Sequence, residues 1–304
     1  MGKDTGIKWT DSTFNPWWGC QRVSPGCEHC YAETFSKRVG LKIWGPGERR
    51  QFGDKHWKEP LKWNAAAKAS GQRHLVFCAS MADVFEDRRD LDAPRARLWA
   101  LIRDTPHLTW LLLTKRPEHA DRLWTEAQIA AFDGAESLGA TWQSNIWLGT
   151  TCEDQKRANE RIPHLLDVPA VVRFLSCEPL IEAVKISDIV TPRGSARRLG
   201  VLKPLAGLWW ATQDGKPGIH ATPHGKIHWV IGGGESGPGA RPCDIAWLRS
   251  LRDQCAAAGV PYFNKQLGAR PEMSPGPISW PCTDPKGGDP DEWPEDLRVM
   301  EWPR

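Results

Sequence analysis

Three cysteines, Cys20, Cys27 and Cys30, lie in the stretch NPWWGCQRVSPGCEHCYAE, with six and then two residues between them. Thiols so closely spaced on one loop are ligands for soft metals. Ser24, Pro25 and Gly26 form a turn that brings Cys20 back towards the Cys27–Cys30 pair. Residues Tyr31–Val39 predict a helix, so the loop closes on a helix N-terminus, whose free N–H groups and dipole favour thiolates. Three thiolates suit a [4Fe–4S] cluster, holding three irons and leaving the fourth open. A structural zinc takes four ligands. No fourth is at hand, since His29 adjoins Cys30 and is expected to point elsewhere, while Cys152, Cys177 and Cys243 reach the loop only through the fold. Cluster, zinc site and small structural thiols are the three readings of this loop.

The elements that must position such a loop follow from hydrophobic runs. Residues 74–80, 108–114, 145–151, 170–176, 227–233 and 260–266 are short, apolar and rich in β-branched or aromatic side chains. They read as buried parallel strands, with one more near Ile7–Thr10 or Phe14–Trp18. Residues 91–104, 117–131, 153–166 and 244–258 read as amphipathic helices, the last capped by Asp244 and ended by Gly259. Strand–helix alternation predicts an α/β fold, an incomplete (βα)6-type barrel or a doubly wound sheet, in one domain over residues 1–267. Residues 190–226, rich in Gly, Pro, Arg and His, read as an insertion forming a hairpin or lid, and 268–304 as an irregular tail.

In a βα barrel the site is built where strands end, and polar residues collect at each predicted strand end. They are Ser80 and Asp83; Lys115 and Arg116 after Thr114; Glu153 and Asp154; Ser176 and Glu178; Glu235, Ser236 and Arg241; and Lys265 and Gln266. Any one of them also reads as a cap or an ion pair. Gly232, Gly233 and Gly234 allow either close backbone approach by a ligand or a tight strand-to-helix turn. Lys115, Arg116, Arg241 and Lys265 are fixed positive charges suited to an anionic substrate such as a nucleotide.

The remaining composition bounds the partners. Net charge is +3 over 304 residues, too mild to demand nucleic acid. Eighteen tryptophans against two tyrosines are enough to supply stacking faces as well as core, and Trp17, Trp18, Trp209 and Trp210 are the candidates. No stretch is long and apolar enough to span a membrane and no apolar signal run opens the chain, which predicts a cytoplasmic protein with reduced thiols. GxSxG, HExxH and P-loop motifs are absent. His220, His224 and His228, at four-residue spacing, are either a weak metal site or solvated side chains.

The ordered set IKWTDSTFNPWWGC, MADVFED, LLLTKRPE, LGTTCEDQ, FLSCEPL, GGGESGPGARP and FNKQLG resembles the phage-associated three-Cys-motif proteins, which are similar to radical S-adenosylmethionine enzymes. That resemblance implies a radical-SAM-like partial barrel. It also implies S-adenosylmethionine as cofactor, with His29, Ser80, Asp83, Glu153, Ser176, Glu178, the three glycines, Glu235 and Ser236 around it. Glu235 would accept from the methionyl amine. Lys115, Arg116, Arg241, Lys265 and Gln266 would then meet a nucleotide or nucleic-acid base. An external electron donor is implied, and a partner protein is possible. The radical enzymes space their first two cysteines by three residues, where this chain has six. Two other functions fit the residues: a non-catalytic iron–sulfur or zinc nucleic-acid-binding protein, and a redox or repair protein whose cluster does not use S-adenosylmethionine.

Overall fold

A computed structural model describes residues 5–131, 142–190, 201–213, 216–222, 225–276 and 278–303. The chain divides into two compact units, 1–149 with 168–171, and 150–167 with 172–304. Seven strands form an open sheet: β1 (Ser12–Thr13), β4 (His74–Cys78), β5 (Leu108–Thr114), β6 (Ile146–Thr151), β7 (Val172–Cys177), β12 (Trp229–Gly233) and β14 (Tyr262–Gln266) are hydrogen-bonded in that order. The pairs β1–β4, β4–β5, β7–β12 and β12–β14 are parallel. Six of these strands fall on the six apolar runs. The fold is mixed α/β, compatible with a partial barrel of seven strands.

In the first unit, α1 (Tyr31–Arg38), α2 (Asp54–Trp57), α3 (Glu59–Ser70), α4 (Asp92–Arg103) and α5 (Ala120–Ala131) occupy the connections. The first strand lies between its two expected positions. Residues Ile7–Thr10 close a turn, Thr10 N–H donating to Ile7 O, and Trp17–Trp18 forms a separate short strand, β2, antiparallel to β3 (Arg50–Gln51). Ser12 and Thr13 are buried although polar, because their neighbours satisfy them: His74 Nε2 lies 3.0 Å from Ser12 Oγ, and Thr13 Oγ1 donates to Thr5 Oγ1 at 3.0 Å. An apolar pattern cannot show a strand of this kind. Helix α3 also lacks an apolar stripe. It buries only Pro60, Trp63 and Ala67, on one face at i, i+3 and i+7, and ends at Gly71 with φ +67°.

In the second unit, α6 (Gln155–Asp167) and α7 (Ile245–Ala258) match their expected spans. Asp244 caps α7 by accepting from Ala246 N–H, and Gly259 follows at φ +62°. The expected insertion holds a four-stranded antiparallel sheet, β8 (Ile189–Val190), β9 (Val201–Lys203), β10 (Leu208–Gln213) and β11 (Lys216–Ala221), with β10 and β11 forming the hairpin. His224 and the side chains of Trp209, Trp210 and His220 lie outside the described residues.

The tail is more regular than the sequence suggests. β13 (Cys243–Asp244), β15 (Pro271–Met273) and β16 (Ile278–Ser279) make a small sheet, and Trp293 and Leu297 are buried. The final residues run antiparallel along β14. Asn264 N–H donates to Val299 O and Glu301 N–H to Tyr262 O, Phe263 bridges Met300, and Trp229 Nε1–H donates to Glu301 O at 2.7 Å. The outer edge of β14 is thus covered, the usual protection against intermolecular pairing.

Deleting residues 298–304 removes three of these hydrogen bonds at about 1 kcal/mol each. The expected result is a fall in Tm of about 6–12 °C together with light scattering on warming. An unchanged melting curve would show that the strap contributes nothing.

Candidate functional site

The cysteine loop belongs to the first unit, and its backbone forms as the residues predict. Gly19 sits at φ +114°, where a Cβ would come within 2.3 Å of Ile43 O, so only glycine lets this strand end pass there. Gly19 N–H donates to Met81 O and Gly45 N–H to Cys20 O. A 3-10 turn covers Pro25–Cys27, and Cys30 is the N-cap of α1. Tyr31 hydroxyl donates to Ser80 O at 2.7 Å, while Asn15 reaches Ser80 Oγ and Met81 N–H. The N-terminal motif and the MADVFED motif are therefore tied together by side chains that no spacing rule flags.

The three thiols are free and partly exposed. Burial pushes the Cys20 thiol up to about 12, Asp83 adding to the rise and Arg116 opposing it. Cys30 is also raised by burial, against the pull of the Glu33 and Ala32 N–H groups at the helix start and of the Lys115 charge. The LLLTKRPE motif thus brings the Arg116 guanidinium to Cys20. Arg116 Nη1 lies 3.7 Å from Cys20 Sγ, and Lys115 acts on Cys30. Ser24 Oγ lies 3.9 Å from Cys27 Sγ, and His29 is half-buried. Among the described residues no three His, Cys, Asp or Glu side chains are gathered into a group that could hold a metal ion. The donor chemistry of the loop suits a cluster, but its three thiols are not drawn around one point.

Asp83 is the hub of this unit's polar set. It accepts from Thr114 Oγ1 (2.7 Å), Lys115 N–H (3.0 Å), Phe85 N–H (3.1 Å) and Arg116 Nη1 (2.8 Å). Burial works to raise its pKa; Arg116 and these donors outweigh burial and hold the carboxyl below its ordinary value. Arg116 also donates to Gln21 O at 2.7 Å. A second buried pair, Arg49 with Glu86, is bidentate, and the Arg49 guanidinium further donates to the carbonyls of Ile43, Gly45 and Gly47.

In the second unit the predicted strand-end residues pair with one another. Glu235 takes both Nε and Nη2 of Arg241, at 2.9 and 2.6 Å, and also its backbone N–H. Lys265 pairs with Glu178. Glu153 is fully buried against Arg161, which also donates to Thr151 O. Gln266 donates to Gly234 O at 2.8 Å. Ser176 is buried and Ser236 half-buried. What approaches the glycines is the chain itself. A Cβ on Gly232 would meet Tyr262 Oη at 2.3 Å, and one on Gly234 would meet Leu267 O at 2.2 Å; Gly233 has ordinary contacts. Cys152, Cys177, Cys243 and Cys255 are buried in this unit, where burial raises their thiols, Cys243 and Cys255 to about 12. His228 is pushed down to about 4 by burial and by Arg173 and Lys226.

A mixed α/β chain with a cysteine loop and paired strand-end charges is the class these features define. The chain belongs to the family described as "Protein of unknown function (DUF5131)", which matches residues 4–279. No curated protein matches it, and no solved structure does. No helix among the described residues is long and apolar enough to cross a membrane.

Asp83→Asn leaves the Arg116 guanidinium buried without its anion, which costs about 3–5 kcal/mol. Because the folded carboxyl titrates below its ordinary value, its stabilisation is present above about pH 4 and is lost as pH falls through the folded pKa. Urea unfolding between pH 2.5 and 7 should show a lower plateau and a shallower acid slope for Asp83→Asn; equal plateaus would remove the hub role. Gly234→Ala should destabilise by about 1–3 kcal/mol through overpacking, and unchanged urea unfolding would show that the backbone at 267–268 yields freely.

Proposed function

We propose that this chain is an iron–sulfur enzyme of the radical S-adenosylmethionine type, acting on a nucleotide or nucleic-acid base. Cys20, Cys27 and Cys30 would hold three irons of a [4Fe–4S] cluster. The observation that carries the reading is the thiol loop at a helix start, with Arg116 on Cys20. Burial raises both thiols, and Arg116 and the helix N–H groups oppose that rise; the thiolate is the form that binds metal. The chemistry such a cluster supplies is one-electron reductive cleavage of S-adenosylmethionine, giving a carbon radical that abstracts hydrogen.

The chain's own residues position the loop. Asp83 fixes the Arg116 guanidinium, Asn15 and Tyr31 tie the loop to residues 80–81, and Glu33 is held by Arg22 and Lys37 inside α1. In the second unit a ligand amine at Glu235 must exchange with Arg241, which already occupies both carboxylate oxygens. The resemblance to phage-associated three-Cys-motif proteins extends the reading to nucleic-acid modification or repair, and free thiols fit a cytoplasmic setting with an external electron donor. The six-residue gap between Cys20 and Cys27 favours, as second reading, a cluster protein that does not cleave S-adenosylmethionine.

Protein purified without oxygen should contain about four irons and matching sulfide per chain. Cys20→Ala, Cys27→Ala and Cys30→Ala should each lose most of it, while Cys78→Ala and Cys255→Ala should keep it. One zinc and no sulfide would overturn the assignment. With an intact, reduced cluster, formation of 5′-deoxyadenosine separates the first reading from the second.

A further inference from the structure

The described arginines are mostly matched with carboxylates, including exposed ones: Arg22 with Glu33, Arg97 with Asp54 and Arg122 with Asp87. Arg38 and Arg50 differ, sharing with Arg73 (over Trp147 at 5.2 Å) a place on an aromatic ring. Both are exposed, and among the described residues neither has a carboxylate partner. Each lies instead on aromatic rings, Arg38 over Phe35 at 5.4 Å, and Arg50 over Trp18 at 4.9 Å and Phe52 at 5.6 Å. The rings join the two cations into one array, for Trp18 packs edge-on against Phe35 at 5.9 Å and against Phe52 at 5.3 Å. Trp18, Phe35 and Phe52 are all half-buried. Trp17, the other stacking candidate of this motif, is in the core with no exposure.

The surrounding chain is basic. Residues 37–58 carry seven Lys or Arg against two Asp or Glu; Lys37 is paired with Glu33 and Arg49 is buried against Glu86, which leaves five. Of those two carboxylates, Asp54 is taken by Arg97. Lys42, Lys55 and Lys58 are exposed. A guanidinium held on a ring face loses little freedom on binding and keeps its N–H edge for a phosphate, while its flat outer face accepts a base. Only unpaired bases offer such a face, so the array suits a strand and not a duplex.

We propose that Arg38 and Arg50, set on Phe35, Trp18 and Phe52, form the docking face for the sugar–phosphate backbone and bases of single-stranded nucleic acid. This deepens, and rests on, the nucleic-acid part of the proposed function. The face flanks the cysteine loop in sequence: Trp18 lies two residues before Cys20, and Phe35 lies in the helix that starts after Cys30. A strand held there is a polymeric substrate, not a free nucleotide.

The test is fluorescence anisotropy with a labelled 15-nucleotide single strand, DNA and RNA, and a duplex of equal length, using the full chain at 50 and 200 mM salt. Arg38→Gln/Arg50→Gln should weaken single-strand binding at least about tenfold and reduce the salt slope by about two phosphate contacts. Arg38→Lys/Arg50→Lys, which keeps charge but not the flat fork, should fall between. Arg249→Gln/Arg252→Gln, on half-buried arginines already paired, should match the parent, with circular dichroism confirming the fold of every variant. Binding that the Arg38/Arg50 changes leave within twofold would overturn this face while sparing the nucleic-acid reading. Tighter binding of the duplex would overturn the single-strand assignment. No binding of any nucleic acid below millimolar concentration at low salt would remove both.

Discussion

In the first unit, the Asp83–Arg116 pair is what the cysteine loop depends on. Asp83 follows β4 and Arg116 follows β5, so their ion pair fixes two strand ends at once. The carboxylate takes two further donors from the second of those ends, Thr114 Oγ1 and Lys115 N–H. Only after Asp83 is satisfied does Arg116 have donors left, and it turns them to Cys20 Sγ and Gln21 O. A buried guanidinium without such an anion would be too costly to keep beside a thiol. The electrostatic setting of Cys20 is therefore decided by a residue 63 positions further along the chain.

The second unit solves a different problem, that of bringing backbones together. Gly234 lies against the carbonyl of Leu267 and the Cα of Gly268, and Tyr262 hydroxyl fills the space a side chain at 232 would need. Glu235 follows immediately and is locked by three donors of Arg241. The GGGESGPGARP motif is thus accounted for by packing and by one internal ion pair, and any ligand at this turn must compete with them.

Six of the seven strands and the main helices were legible because each carries its signal within a few residues, in apolar runs, Asp244 as cap or Gly259 as stop. The turn and helix of the cysteine loop were legible for the same reason. What stayed hidden depends on distant partners. Ser12–Thr13 is a strand because His74 and β4 satisfy it, α3 shows too narrow an apolar face, and the edge cover on β14 comes from residues 299–301. The strand-end charges were found as a set, but their pairing was not, since Glu178 and Lys265 are 87 residues apart and Asp83 and Arg116 are 33 apart. Nor does spacing show that Arg38 and Arg50 share one aromatic array, because Trp18 and Phe52 meet across the loop between them.

The cover on β14 also sets an order of events in biosynthesis. The strand is complete at Gln266, while the residues that lie along it begin at Val299, roughly thirty positions later. At about 5–20 residues per second this leaves about 2–6 s in which the hydrophobic strand can be made and yet stand bare on one side. Trp229, whose indole N–H waits for the carbonyl of Glu301, is in the same position. The growing chain is most exposed to wrong pairing in the interval between emergence of the strand and emergence of its cover, and a chaperone that binds bare strand edges would have its effect there.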